Sequence, residues 1–193
     1  MTKVMIIAEH DGSALNPSTA KCVACATELE GAEIDVAVLG AGIADVAAEA
    51  ASISGVARVI VVDRDENKVA LAAVLAPQVA FLAAEYSHIM GPSTAFGKDL
   101  MPRVAALLGV NQVSDIMSVE GSYRFKRPIY AGNAVVTVDA PAEQKLVATV
   151  RTASYQAAEG GNSATIESVD TDAEIPTHTR FVELQTGQSD RPD

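Results

Sequence analysis

The sequence has no tryptophan and only four phenylalanines and four tyrosines. A core without large rings must be filled by Ala, Val, Ile and Leu, the residues that allow close packing of helices on a sheet. Basic residues are also scarce: 14 Lys plus Arg stand against 25 Asp plus Glu, a net charge of −11. A surface this acidic repels phosphate backbones and anionic lipid, and no basic stripe offsets it. Nucleic acid and direct membrane insertion are therefore disfavoured as partners. Two cysteines in 193 residues make no disulfide framework. No apolar run approaches the roughly 18 residues of a transmembrane helix, and Pro77 and Gln78 interrupt the longest candidate. The apolar run Val4 to Ala8 is too short for a signal peptide. The expectation is a soluble protein inside the cell.

What remains is 49% hydrophobic and 20% charged, enough for a true core and consistent with one domain. The first half alternates two periods. Val4 to Ala8 reads as a buried strand, followed by Asn16 and Pro17 as helix cap and first-turn proline. That helix is expected to reach Leu29 and stop at Gly31. Further strands are expected at Ile34–Leu39, Val59–Val62, Ser87–Met90 and Ser114–Val119. Helices are expected at Ala44–Ile53, Lys68–Glu85 with a bend near Pro77, and Phe96–Leu108 with Gly109 beyond. Apolar strands separated by helices at this spacing predict parallel βαβ units, and so an α/β fold with a doubly wound, mainly parallel sheet of Rossmann-like type.

Near residue 120 the helical period disappears. Ser122–Lys126, Val135–Asp139, Leu146–Thr152, Ala164–Val169 and Arg180–Gln185 read as strands, punctuated by Pro128, Pro141, Gly160-Gly161 and Pro176. They are expected to be antiparallel, extending the sheet or forming a small second one. Residues 1–185 then make one α/β domain, and the polar residues 186–193 read as a linker.

Four motifs invite a chemical reading. Cys22-Val-Ala-Cys25 has redox spacing, but it lies one to two turns inside a helix, on one stripe with Ala26 and Leu29. There the two thiols are small core residues. Gly40-Ala-Gly42-Ile-Ala-Asp45, with Asp63 about twenty residues on, imitates a dinucleotide loop. Its third glycine is replaced by an aspartate that would oppose a pyrophosphate. Gly91-Pro-Ser-Thr-Ala-Phe-Gly-Lys98-Asp99 imitates a phosphate loop, but the spacing is wrong and no hydroxyl follows the lysine. Ser93 and Thr94 can still cap the helix and leave N–H groups for an anion. Gly40, Gly91, Ser93 and Thr94 are accordingly the candidate residues of a residual nucleotide or anion pocket. Finally, His10 and His88, with Glu9 and Asp11, are expected near the carboxyl end of the sheet. No nucleophile motif or metal-binding motif accompanies them, so no catalytic residue and no metal site is expected.

Three stretches carry a resemblance to a known family. They are Val4-Met-Ile-Ile-Ala-Glu-His-Asp-Gly-Ser-Ala-Leu-Asn16, Gly91 through Gly109 with Thr94-Ala-Phe-Gly-Lys-Asp-Leu-Met-Pro-Arg103, and Arg127-Pro-Ile-Tyr-Ala-Gly-Asn-Ala134 followed by Thr149-Val-Arg-Thr152. In order and spacing the chain resembles the amino-terminal domain of the electron-transfer flavoprotein α-subunit family. The resemblance implies an adenine-nucleotide-hydrolase-like α/β domain that docks a similarly folded β-subunit. It implies a heterodimer that carries electrons on FAD from flavin dehydrogenases, such as acyl-CoA dehydrogenases, to a membrane-bound quinone oxidoreductase. It implies AMP in the β-subunit, and a cytoplasmic or mitochondrial-matrix location. In that family FAD sits mainly in a carboxyl-terminal domain for which these 193 residues have no counterpart. FAD is therefore expected in the complete protein and absent from this fragment. The competing expectation is an adenine-nucleotide-binding regulatory domain of similar fold, using the loops at Gly40 and Gly91. A hydrolase reading is weakened by Glu9-His10-Asp11-Gly12-Ser13, which is acidic where such enzymes carry a Ser/Gly-rich loop.

Overall fold

The computed structural model describes residues 2–185. Its centre is strand β1 (Thr2–Ile7), whose side chains alternate between two cores. Val4 and Ile6 join one cluster and Met5 and Ile7 the other, all four fully buried. Two-sided burial of this kind requires helices on both faces. The first face carries α1 (Ser18–Thr27) and α2 (Ala44–Ala51), and the second carries α3 (Ala72–Leu82) and α4 (Ala95–Leu108). Between them run β2 (Ala32–Gly40), β3 (Val56–Asp63), β4 (His88–Pro92) and β5 (Gln112–Ile116).

Four of the expected second-half strands are present, but two have the opposite sense to that expected. β6 (Ser118–Gly121), β7 (Arg124–Ile129) and β8 (Ala134–Asp139) form a three-stranded antiparallel sheet. β9 (Leu146–Val150) and β10 (Thr165–Ser168) instead join the main sheet, both parallel to their neighbours. The order is β10-β3-β2-β1-β4-β9-β5, and every pairing is parallel. β9 slots between β4 and β5, and all five of its residues are buried. A strand buried at every position suits the interior of a parallel sheet better than a one-sided hairpin. Arg180–Gln185 forms no strand, and its Val182 and Leu184 are largely exposed. Residues 186–193, expected to be a linker, lie outside the described residues.

Two boundaries moved for identifiable reasons. The helix expected from Lys68 begins at Ala72, after a short 3-10 turn (Asp65–Lys68) and an extended Leu71. Asn67 holds that turn in place. Its buried amide donates to the Val62 carbonyl at 3.3 Å and exchanges hydrogen bonds with the buried Gln78 amide at 3.0 and 2.6 Å. The strand expected over Ser114–Val119 breaks after Ile116. Asp115 there adopts a left-handed backbone (φ 61°), and the chain leaves the main sheet for the small one.

Among the described residues no helix is long and apolar enough to cross a membrane.

Candidate functional site

Ligands of open parallel sheets bind outside the carboxyl ends of the strands, where the strand order reverses. In this sheet that crevice lies between β1 and β4. A carboxylate fills it. Glu9, just past β1, accepts hydrogen bonds from Ser18 Oγ (2.8 Å) and Thr94 Oγ1 (2.9 Å), while its own N–H donates to Thr19 Oγ1 (3.1 Å). The first turn of α1 and the cap of α4 are thus tied together through one acidic side chain. A phosphate placed there would meet that charge, so the crevice does not fit a pyrophosphate. The dinucleotide-like loop is closed in the same way: the Gly42 N–H donates to Asp63 Oδ1 at 2.8 Å.

The four residues of the expected anion pocket separate. Gly40 packs against Ile43 and His10, with no room for a Cβ. Gly91 is buried in β4 beneath Met101. Thr94 serves as N-cap of α4, accepting from the Gly97 N–H at 3.4 Å. Ser93 opens onto a cleft. The histidines also differ from expectation. His10 follows the carboxyl end of β1, but His88 is the first residue of β4 and pairs in register with Val4. Six residues of extended chain, about 20 Å, separate their levels. His10 Nε2 donates to the Leu39 carbonyl (2.9 Å), and its Nδ1 accepts from the Gly12 N–H (3.1 Å). His88 contacts Ser87 Oγ (2.8 Å) and the Ser122 carbonyl (2.7 Å), and burial holds its pKa below the ordinary value. Both rings are thus hydrogen-bonded at each nitrogen.

Cys22 and Cys25 are fully buried free thiols, with Ala26 and Leu29 beside them in the α1 core. Burial pushes the Cys25 thiol up to about 12 and raises Cys22 as well. Burial of this kind favours the thiol over the thiolate, the reactive form. Among the described residues no cluster of His, Cys, Asp and Glu suits a metal ion.

A deep cleft lies one strand further along, past the carboxyl ends of β4, β9 and β5. It encloses about 680 Å³, lined by Ser93, Lys98, Asp115 and Arg151, by the end of β7 from Arg127 to Ile129, and by the short turn Tyr130–Gly132 that follows. A recess of about 400 Å³ continues from it toward Gln112 and Thr149. Each wall is fixed by the sheet: the Ser93 N–H donates to the Val150 carbonyl (2.8 Å), the Arg151 N–H to the Ile116 carbonyl (2.9 Å), and the Asp115 N–H to Thr149 Oγ1 (2.9 Å). All three non-glycine residues with positive φ among the described residues, Asp115, Tyr130 and Ala131, border this one cleft. The sequence signalled its parts as the Gly91–Gly109 and Arg127–Ala134 stretches, but nothing in it showed that they meet.

The family model for the electron transfer flavoprotein domain matches residues 4–174. An electron transfer flavoprotein subunit alpha from Pseudomonas aeruginosa is 43% identical over 192 residues, covering 98% of this chain and 61% of that protein. The subunit alpha from Paracoccus denitrificans is 39% identical, with 98% and 61% covered. The mitochondrial subunit alpha from Dictyostelium discoideum is 36% identical, with 98% and 57% covered. The chain thus spans about three-fifths of the length of these curated relatives. A parallel sheet with helices on both faces, a charged loop filling the switch-point crevice and a family match running almost end to end agree with one another, and the chain belongs to the electron transfer flavoprotein domain family.

Proposed function

We propose that this chain is the rigid, partner-docking domain of a heterodimeric electron-carrying flavoprotein, and that it performs no bond chemistry itself. The observation that carries this reading is the family match over residues 4–174 to proteins named as flavoprotein alpha subunits. The polar groups of the switch-point crevice support it, because Glu9, Ser18, Thr19 and Thr94 are spent on one another and on joining two helices. An electron carrier needs a stiff frame and a docking face, not an acid–base pair. The partner in this reading is the β-subunit, which holds AMP. FAD is held by parts of the complete protein other than these residues. Flavin dehydrogenases, such as acyl-CoA dehydrogenases, supply the electrons, and a quinone oxidoreductase of the respiratory chain receives them.

Co-expression with an electron transfer flavoprotein β-subunit, followed by size-exclusion chromatography and visible absorbance, tests the reading. The expected result is a colourless chain that co-elutes with the β-subunit as a heterodimer. Failure to associate, or a stoichiometric flavin on this chain alone, would overturn it.

A further inference from the structure

We infer that the cleft past β4, β9 and β5 is a binding site for a small phosphate ester, one that takes its anionic head on Lys98, Arg127 and Arg151. The surface as a whole carries −11, yet this cleft gathers three cations against the single carboxylate of Asp115, a local excess of two (three minus one). None of the three cations forms an ion pair among the described residues, although five ion pairs are made elsewhere. Concentrating unpaired cations in one concavity costs self-repulsion unless an anion relieves it.

Two buried polar atoms point the same way. Arg127 and Ser93 both line the cleft, and Arg127 Nε and Ser93 Oγ are buried behind its surface without a hydrogen-bond partner. A buried donor without an acceptor is costly, and an oxyanion in the cleft would satisfy both once the two side chains turn toward it. A local excess of two positive charges matches a phosphate monoester, which carries roughly −1.5 to −2 at neutral pH, better than a single carboxylate. The volume favours an ester over the bare ion, since about 680 Å³ is in the range of small-molecule sites. Tyr130, 79% exposed on the rim beside Pro128 and Ile129, offers an apolar face for the rest of the ligand. Positive φ at Asp115, Tyr130 and Ala131 places backbone strain around this cleft, and strain in a folded protein concentrates at ligand sites.

The test uses these 193 residues alone, so it does not depend on the docking role. Inorganic phosphate is titrated into the 15N-labelled protein, with chloride holding the ionic strength constant. Saturable shifts are expected at the amides of Ser93, Lys98, Gly132, Thr152 and Ala153. Arg151→Gln should raise the half-saturating phosphate concentration at least about tenfold. Lys68→Gln, which removes an exposed charge outside the cleft, should leave it unchanged. If Arg151→Gln loses its native spectrum, Lys98→Gln takes its place. Shifts that track ionic strength without saturating would overturn the site, as would a folded cleft variant that binds phosphate like the parent.

Discussion

Replacing Gly97 by alanine should destabilise the protein, although the change lies inside a helix. In an exposed helix the substitution would stabilise by about 1 kcal/mol, because alanine has the higher propensity. Gly97 is the third residue of α4, and there the helix touches the end of β4. A Cβ built on it would sit 1.8 Å from the Pro92 carbonyl oxygen, well under the 3.0 Å that real Cβ atoms keep. The obstacle is backbone, so no side chain can rotate away. Relief requires α4 to move by at least 1.2 Å (3.0 minus 1.8), lifting the fully buried Leu100, Met101 and Val104 off the sheet. Overpacking costs typically about 1–3 kcal/mol and sometimes more. A backbone obstacle at 1.8 Å calls for the upper end of that range, about 3 kcal/mol; subtracting the helix gain of about 1 kcal/mol leaves a net loss of about 2 kcal/mol, a fall of roughly 4–8 °C in Tm for a domain of this size. Thermal unfolding followed by circular dichroism reads it, and urea unfolding confirms a lower midpoint with an unchanged slope. Gly121→Ala is the control, because its Cβ would meet only the Arg124 Cβ at an ordinary 3.8 Å. A Gly97→Ala variant as stable as the parent, or more so, would refute the close approach of α4 to β4.

Two further outcomes follow from buried groups. The His88 pKa is depressed by burial, so the unfolded chain binds more protons than the native one below the ordinary value of 6.5. Stability is therefore fully present above pH 6.5 and declines as pH falls from there toward the depressed pKa. His88→Gln should flatten that slope in urea titrations at several pH values, and an unaltered slope would count against it. Cys22 and Cys25, buried and raised in pKa, should resist a thiol reagent in the native state and react at both positions in urea. Rapid native labelling would show that α1 is less tightly packed than described.

The elements of the first half were legible because each carries its own period and its own punctuation. Gly109 adopts the left-handed backbone (φ 68°) at the end of α4, and the stripe of Cys22, Cys25, Ala26 and Leu29 is buried throughout. The place of β9 was available too, since Leu146-Val-Ala-Thr-Val150 has none of the polar alternation of a solvent-facing hairpin. β8 shows the contrast, alternating half-buried and exposed along its length. The cleft was not legible. It assembles Ser93, Asp115, Arg127 and Arg151 from four separate strand ends, and neither Tyr130 nor Ala131 advertises a left-handed backbone as a glycine would.

β10 is the outer neighbour of β3, joined to it by four register pairs and by the Arg58–Glu167 ion pair at 2.8 Å. Arg58 also grips the buried Asp35, which takes a further hydrogen bond of 2.6 Å from Tyr86. The two ends of the Arg58–Glu167 contact are 109 residues apart in sequence. A ribosome therefore releases β3 long before the strand that covers it. Until then the nascent sheet shows a bare Val-Ile-Val-Val edge, open to pairing with any neighbouring chain. The acidic character of the whole sequence acts in that interval, because mutual repulsion keeps unfinished copies apart while the last strand is still being made.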